Sequence, residues 1–279
     1  MIIAIFPNKR KPESKHVSLG IIDYLKSRNI TVVAEEDDAY EFGIESLDNY
    51  DPDEIDFLIS MGGDGTMLQI AHTYHEFEAP ILGINLGHLG FMADVPIPDI
   101  YPSLQDLING AYNVEERLML EAESHHGETT FAVNDFVIHR ARNTSIVSIG
   151  LHVDGIYLNT FEADGVIIAT PNGSTAYSLA AGGPIISPYL DAIAVTPICS
   201  HTISNRPILL PPNSEIQLQY LSDYDPVEFI ADGVERFNME TGETFKIVAS
   251  EKRFKLVSLF RRDHYSTLRT KLGWGVKLR

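Results

Sequence analysis

The first third of the chain alternates short apolar runs with segments whose apolar residues recur every three or four positions. Residues 2–6 form a continuous apolar run closed by Pro7-Asn8, the pattern of a buried parallel strand. Residues 14–29 place Val17, Ile21, Ile22 and Leu25 on one face of a predicted helix. Residues 31–33, 55–61 and 80–84 read as further strands, and the segment carrying Met67, Leu68 and Ala71 reads as a helix. Strands separated by helices predict a doubly wound α/β sheet, which places ligands beyond the carboxyl ends of its strands.

After a helix-like stretch at residues 100–109 the period changes. Short apolar or alternating runs follow at 131–138, 145–153, 165–169, 215–221, 227–231 and 245–248. Turn signals divide them, among them Asp154-Gly155, Pro171-Asn172-Gly173, Pro211-Pro212-Asn213 and Thr241-Gly242. This predicts an antiparallel all-β domain. The expected division is an N-terminal α/β domain over 1–100, with the tail 251–279 packing back on it, and a β-rich domain over 101–250. The tail is locally basic, through Arg261, Arg262, Arg269, Lys271, Lys277 and Arg279, and partly helical in pattern.

Charge narrows the partners. Acidic residues outnumber basic ones by 39 to 21, giving a formal net charge of −18, which opposes a broad nucleic-acid footprint. A single cysteine excludes a disulfide framework and a thiolate zinc site, and suits a reducing compartment such as the cytoplasm. The N-terminus has an apolar run followed by basic residues, the reverse of a signal peptide. No apolar run is long enough to cross a bilayer, so no membrane role is expected.

The sharpest chemical feature is Gly62-Gly63-Asp64-Gly65-Thr66, between a predicted strand and a predicted helix. Its glycines allow close backbone approach to a bulky anion, and Thr66 is a candidate cap for the helix. A carboxylate inside an anion cradle needs a metal ion or a proton-transfer role; the competing reading is a glycine turn with Asp64 as a local cap. A second cluster, Asn85-Leu86-Gly87-His88-Leu89-Gly90-Phe91, supplies flexible backbone and one aromatic ring at the same sheet edge, and by itself reads as an ordinary loop. A third, Asn134-Asp135, interrupts an apolar run. In a strand the two side chains point to opposite faces, and the one facing the core needs a partner; the alternative is a strand-end turn. A carboxamide beside a carboxylate suits the edge of an adenine and the hydroxyls of a ribose.

The fourth cluster runs from Asp164-Gly165 through Thr170-Pro171-Asn172-Gly173-Ser174-Thr175-Ala176-Tyr177-Ser178 to Gly182-Gly183-Pro184. Ser174 is a candidate helix cap, Tyr177 a stacking face with a polar tip, and the small Ala176, Ala180 and Ala181 leave room for a ligand. Histidines give no metal-ligand pattern: His72 and His75 lie three apart, and His125 and His126 are adjacent, without a supporting motif. No protein-held metal is therefore expected, and a divalent cation is expected only with a phosphate substrate. There is no P-loop, no protein-kinase catalytic loop and no ordinary dinucleotide fingerprint.

Taken in order, GGDGT, NLGHLGF, Asn134-Asp135, DG…TPNGSTAY…GGP, Ser204-Asn205-Arg206-Pro207 and Asp232-Gly233 resemble the NAD kinase family. The resemblance implies transfer of the γ-phosphoryl of ATP (or of polyphosphate) to the 2′-hydroxyl of the adenosine ribose of NAD, with Mg²⁺ or another divalent cation accompanying ATP. It implies that NAD is held by the β-rich domain and between domains, in a homodimer or homotetramer. Asp64 maps onto the family's proton acceptor, and Gly62, Gly63, Gly65 and Thr66 face phosphates. Asn134 and Asp135 hold the adenosine half; Asp164 with Thr175, Ala176 and Tyr177 holds adenine and nicotinamide. Asn85, Phe91, Ser174, Ser178 and Ala180 complete the implied site. Three positions depart from the family pattern: Ala180 where a serine is common, Val234 where glutamine is common, and Glu162 where a basic residue is common. A lipid kinase sharing GGDGT and a non-catalytic dinucleotide sensor are the competing functions.

Overall fold

The computed structural model describes residues 1–87, 89–202, 204–261 and 263–274. His88 of the second motif and the tail residues Arg262, Lys277 and Arg279 lie outside the described residues. The chain divides into two compact units, one formed by Met1–Glu116 with Lys255–Arg279, the other by Arg117–Phe254.

In the first unit, β1 (Ile2–Pro7), α1 (Ser14–Lys26), β2 (Thr31–Ala34), α2 (Glu36–Phe42), β3 (Glu45–Ser46), β4 (Phe57–Gly62), α3 (Asp64–Thr73) and β5 (Ile81–Asn85) follow one another. A short β6 (Val95–Pro96) and α4 (Ile100–Ile108) come next. The strands pair in parallel in the order β5-β4-β1-β2-β3. Because the chain winds from β1 toward β3 and then returns to β4 on the other side, the topological switch lies between β1 and β4. The crevice outside that point is where open α/β sheets bind ligands, and the GGDGT turn leaves β4 there. The predicted strands are present within two residues of their expected ends. β4 and β5 are buried along their full length, as an all-apolar parallel strand requires.

The first unit extends past residue 100 because α4 is amphipathic. Its Ile100, Leu104 and Leu107 enter the same core as Ile3, Ile5, Ile59, Leu82, Val257 and Leu259. The tail carries α6 (His264–Leu272), started by Asp263 accepting from the Ser266 N–H and stopped by Gly273 in the left-handed region. The described helices include none long and apolar enough to cross a membrane.

The chain enters the second unit within β7 (Tyr112–Ser124) and leaves it within β18 (Thr244–Leu259). Between them lie β8 (Thr129–Ala132), β9 (Asp135–His139), β10 (Val147–Val153), β11 (Ile156–Ala163), β12 (Gly165–Ala169), α5 (Tyr177–Ala180), β13 (Ile193–Ile198), β14 (Ile208–Leu210), β15 (Ile216–Tyr220), β16 (Val227–Ala231) and β17 (Glu235–Met239). One antiparallel sheet has the order β14-β13-β12-β9-β16-β17; β11, β10, β15 and the start of β18 pair antiparallel beside one another. Alternate residues meet in one core: Phe136 and Ile138, Val166 and Ile168, Ile149 and Leu151, Leu218 and Tyr220, Phe245 and Ile247. That period of two sends one face of each strand into this core, while the opposite faces of β9, β12 and β13 enter a second one with Val137, Ile167 and Ala194. The Phe229 and Phe245 rings stack within it, centroids 3.8 Å apart.

Two expected helix caps are corrected. Gly63, not Thr66, is the N-cap of α3; the helix starts at Asp64, and Thr66 Oγ1 accepts from Asn8 Nδ2 at 3.1 Å. Ser174 caps no α-helix: it lies in the 3-10 turn Gly173–Thr175, and α5 begins only after Ala176. In both places the glycine-rich turn ends one or more residues away from where hydroxyl preference puts it.

Candidate active site

At the carboxyl end of β4 the Asp64 side chain turns toward the loop after β5. Its Oδ2 accepts from the Phe91 N–H at 2.8 Å, and its Oδ1 from the Met92 and Ala93 N–H groups at 3.0 and 2.9 Å. A carboxylate offers about four acceptor directions, so one direction on Oδ2 remains for a further donor. The charge also sits in the first turn of α3, where the helix dipole favours an anion. The sequence called for a metal or a proton-transfer role to accommodate this carboxylate; the fold supplies a third means, three convergent amides.

The loop that donates those amides is built around close approach. Gly90 has no room for a Cβ, because that atom would overlap the Asp64 carboxylate. The Gly90 N–H closes a turn onto Ala93 O at 2.9 Å. Buried Asn85 directs the loop from below, accepting from the Gly87 N–H at 2.7 Å and donating to Ala93 O at 3.3 Å. The Phe91 ring is covered by the tail, with Lys271 Nζ 4.4 Å from its centroid. On the neighbouring β1 edge, Asn8 N–H donates to Met61 O at 3.0 Å. Lys9 is engaged by buried Asp38 at 3.1 Å. Lys11 makes no ion pair with a described residue, and its ammonium stands 3.2 Å from where a Gly87 Cβ would be.

In the second unit the apolar run 131–138 is not one strand. β8 ends at Ala132, β9 starts at Asp135, and Val133-Asn134 form a bend. The Asp232 carboxylate holds that bend by accepting from the N–H groups of Val133, Asn134 and Asp135 at 2.7, 2.7 and 3.1 Å. The turn after β12 locks onto it. Thr170 donates from Oγ1 to Val133 O at 2.7 Å, and Asn172 Nδ2 donates to Asn134 Oδ1 at 2.7 Å. Gly173 packs so tightly on the Asn134 backbone that a Cβ there would overlap its carbonyl.

Both polar side chains of the pair are consequently buried, at 8% and 6% exposure, rather than one facing water. Asn134 spends its amide oxygen on Asn172, and its NH₂ group donates to no described residue. The Asp135 carboxyl has no hydrogen-bond partner among the described residues. Burial, with the nearby Asp232 charge adding, pushes it up to about 7. A donor and an acid thus stand side by side with no hydrogen-bond partner among the described residues, a matched pair of polar groups that a ligand can engage.

The remaining expected residues fall into two groups. Ser174 and Ser178 are fully buried in the framework: Ser174 Oγ donates to Pro171 O and accepts from the Ile186 N–H at 3.0 Å, and Ser178 Oγ meets Thr196 Oγ1 at 3.0 Å. Thr175 Oγ1 donates to Asn172 O at 3.1 Å. Tyr177 is 42% exposed and its ring stacks on no described aromatic group, so a face is open. Burial raises its phenol above the ordinary value, with Cys199, Asp164 and Asp135 adding, which puts these groups within electrostatic range. Ala176 is half-buried and Ala180 exposed, both beside that ring in sequence. Asp164 is paired with Arg140, whose Nε donates to its carboxylate at 2.9 Å. Glu162, at the position of a family basic residue, accepts from Ser148 Oγ at 2.8 Å.

Sequence reasoning missed Arg140 and the Met92 and Ala93 amides, and it named Thr170 and Asn172 as members of a cluster without their bonds to the Val133-Asn134 bend. Asp232 was noticed only as part of a dipeptide; its backbone lies in the left-handed region at φ 51°, as an Asp-Gly turn allows.

Two family models match this chain: the ATP-NAD kinase N-terminal domain over residues 3–112 and the ATP-NAD kinase C-terminal domain over 133–259. An NAD kinase of Protochlamydia amoebophila is 51% identical over 278 residues, covering all of both chains. One of Geotalea daltonii is 37% identical, covering 98% of each. Among solved structures, yeast NADH kinase complexed with NADH aligns at a TM-score of 0.90 and 27% identity, covering 100% of this chain and 89% of that one. An Archaeoglobus fulgidus NAD kinase aligns at 0.76 and 23%, covering 98% of each, a likeness of fold.

Proposed function

The chain belongs to the ATP-NAD kinase family and phosphorylates NAD to NADP from ATP, and on that premise we propose the following roles for its residues. Asp64 Oδ2 accepts the proton of the adenosine ribose 2′-hydroxyl as that oxygen bonds to the γ-phosphorus. The bond from the γ-phosphorus to the bridging oxygen breaks, and ADP leaves. The observation that carries this role is the acceptor direction left on Oδ2 after three amides have fixed the carboxylate. A side chain so fixed loses little freedom when the hydroxyl arrives, which is the positioning that phosphoryl transfer depends on.

Mg²⁺, or another divalent cation, enters on the phosphates of ATP as part of the substrate. The α3 N-terminus and the Lys11 ammonium, which makes no ion pair with a described residue, offset the rest of the triphosphate charge, a need sharpened by the net charge of −18. Asn134 and Asp135 hold the adenosine half. The NH₂ of Asn134 donates to the base, and the Asp135 carboxyl accepts from ribose hydroxyls, neither group being hydrogen-bonded to a described residue. Tyr177 offers its open face to a base, with Thr175 and Ala176 shaping the approach and Arg140 holding Asp164 in place. Asn85, Ser174 and Ser178 position the loops rather than touch substrate.

A homodimer or homotetramer working in the cytoplasm completes the reading. The support for self-association is the β10–β11 hairpin tip, where Ile156, Tyr157 and Leu158 are 72%, 58% and 45% exposed. The lipid-kinase and sensor readings are not favoured, since the full-length relatives are NAD kinases. The test is incubation of purified protein with NAD, ATP and Mg²⁺, read by an NADP-specific dehydrogenase. NADP formation that depends on all three supports the proposal; NADP formed equally well without the divalent cation contradicts its part of it.

A further inference from the structure

Two tight turns of the second unit carry ligand atoms that phosphoryl transfer does not use. The β7–β8 turn is closed by the Ser124 N–H donating to Glu128 O at 2.8 Å and the Gly127 N–H donating to Ser124 O at 2.9 Å. The β17–β18 turn is closed by the Glu243 N–H donating to Glu240 O at 3.1 Å, with Gly242 in the left-handed region. A backbone bond from the His125 N–H to Thr244 O, 3.1 Å, ties one turn to the other.

From this frame His125 Nε2 and His126 Nε2 both point at one oxygen, Glu243 Oε1, at 3.4 and 3.1 Å. The second oxygen is already used: Glu243 Oε2 accepts from the Glu240 N–H at 2.8 Å, which fixes the carboxylate plane. The three ligand atoms lie within 4.8 Å of one another, and the imidazole centroids are 3.7 Å apart. A tetrahedral ion with bonds of about 2.0–2.1 Å sets its ligand atoms roughly 3.3–3.4 Å apart. The two imidazole–carboxylate separations lie close to that spacing and the imidazole–imidazole one is within 4.8 Å, so rotation of the histidine side chains suffices to receive such an ion.

We propose that His125, His126 and Glu243 form a binding site for one Zn²⁺-class dication, with water in the remaining position. Two imidazoles and a carboxylate form a borderline donor set that suits Zn²⁺, whereas Mg²⁺ and Ca²⁺ require oxygen ligands. The site is thus chemically distinct from the divalent cation carried by ATP. In the bound state each imidazole presents the Nε2 lone pair and keeps its proton on Nδ1. The bound ion staples the β7–β8 turn to the β17–β18 turn.

The experiment is titration of the chelator-treated full chain with Co²⁺ and Zn²⁺. Visible absorption reads the Co²⁺ geometry, and calorimetry reads stoichiometry and affinity. One ion per chain with tetrahedral Co²⁺ bands is expected, with affinity reduced about tenfold or more in His126→Ala and in Glu243→Gln. Zn²⁺ should raise the thermal midpoint of the wild type and not of either variant, while both variants keep Mg²⁺·ATP-dependent activity. Absence of uptake by the wild type, or equal stoichiometry and affinity in the two variants, overturns the assignment.

Discussion

Replacing Asp135 by asparagine exchanges a buried carboxyl, without a hydrogen-bond partner among the described residues, for a neutral group of nearly the same shape. The folded protein holds that carboxyl at about 7, against an ordinary value of 3.8. A separation of about 3 pH units corresponds to about 4 kcal/mol. The direction follows from proton counting. Below about pH 4 the carboxyl is protonated in both states and costs nothing. Between about 4 and 7 the unfolded chain releases the proton while the folded one retains it, so stability falls as pH rises. Above about 7 the full cost is present and no longer changes. Urea unfolding followed by circular dichroism, on wild type and Asp135→Asn between about pH 4 and pH 8, measures the difference. The variant's advantage should be near zero at the acid end and approach about 4 kcal/mol at the alkaline end. An advantage that stays constant across the range would refute the claim that this carboxyl is buried without a partner.

The same residue makes a binding prediction. If ribose hydroxyls donate to Asp135, NAD favours its ionised form, and near pH 7 about half a proton is released on binding. Calorimetry in buffers of different ionisation enthalpy reads that number, and proton uptake would reverse the assignment. Tyr177→Ala should weaken NAD binding by about 1–3 kcal/mol through loss of a stacking face; unchanged affinity would show that the exposed ring is idle. Gly90→Ala drives a methyl into the Asp64 carboxylate, so turnover should collapse while dinucleotide affinity stays near wild type; a fully active variant would show that Asp64 tolerates displacement. Lys11→Met should raise KM for ATP and leave NAD affinity unchanged, and an unaltered KM would remove Lys11 from the triphosphate site.

The architecture was legible where burial imposes a period. Continuous apolar runs marked the parallel strands of the first unit and β12, and alternation marked β10, β15 and β16. Elements whose stability comes from elsewhere were missed. α2 reads EDDAYEF, with Asp38 and Ala39 as its buried residues; its acidic first turn favours the helix through the dipole, a signal that hydrophobic periodicity does not see. β11, with Ile156, Tyr157 and Leu158 exposed, shows no buried face over its first half, and β13 was passed over although every residue of it is buried.

At the site, sequence pattern located the residues and missed their partners. Asp64 stood out among glycines, but the amides of Phe91, Met92 and Ala93 carry no side-chain signature and reach it only once β4 and β5 are paired. Asp232 lies 98 residues from Asn134 in sequence and holds its backbone. The Asn134-Asp135 pair was read against strand alternation, and the bend that Asp232 enforces is what buries both side chains.

The most direct test of the central claim is a single-turnover measurement on Asp64→Asn, with NAD affinity determined on the same protein. An asparagine NH₂ retains the shape, removes the proton acceptor and faces at least one amide donor. Phosphoryl transfer should slow by about 10²–10⁴ with NAD binding preserved. Transfer at a near-wild-type rate would contradict the role given to this carboxylate.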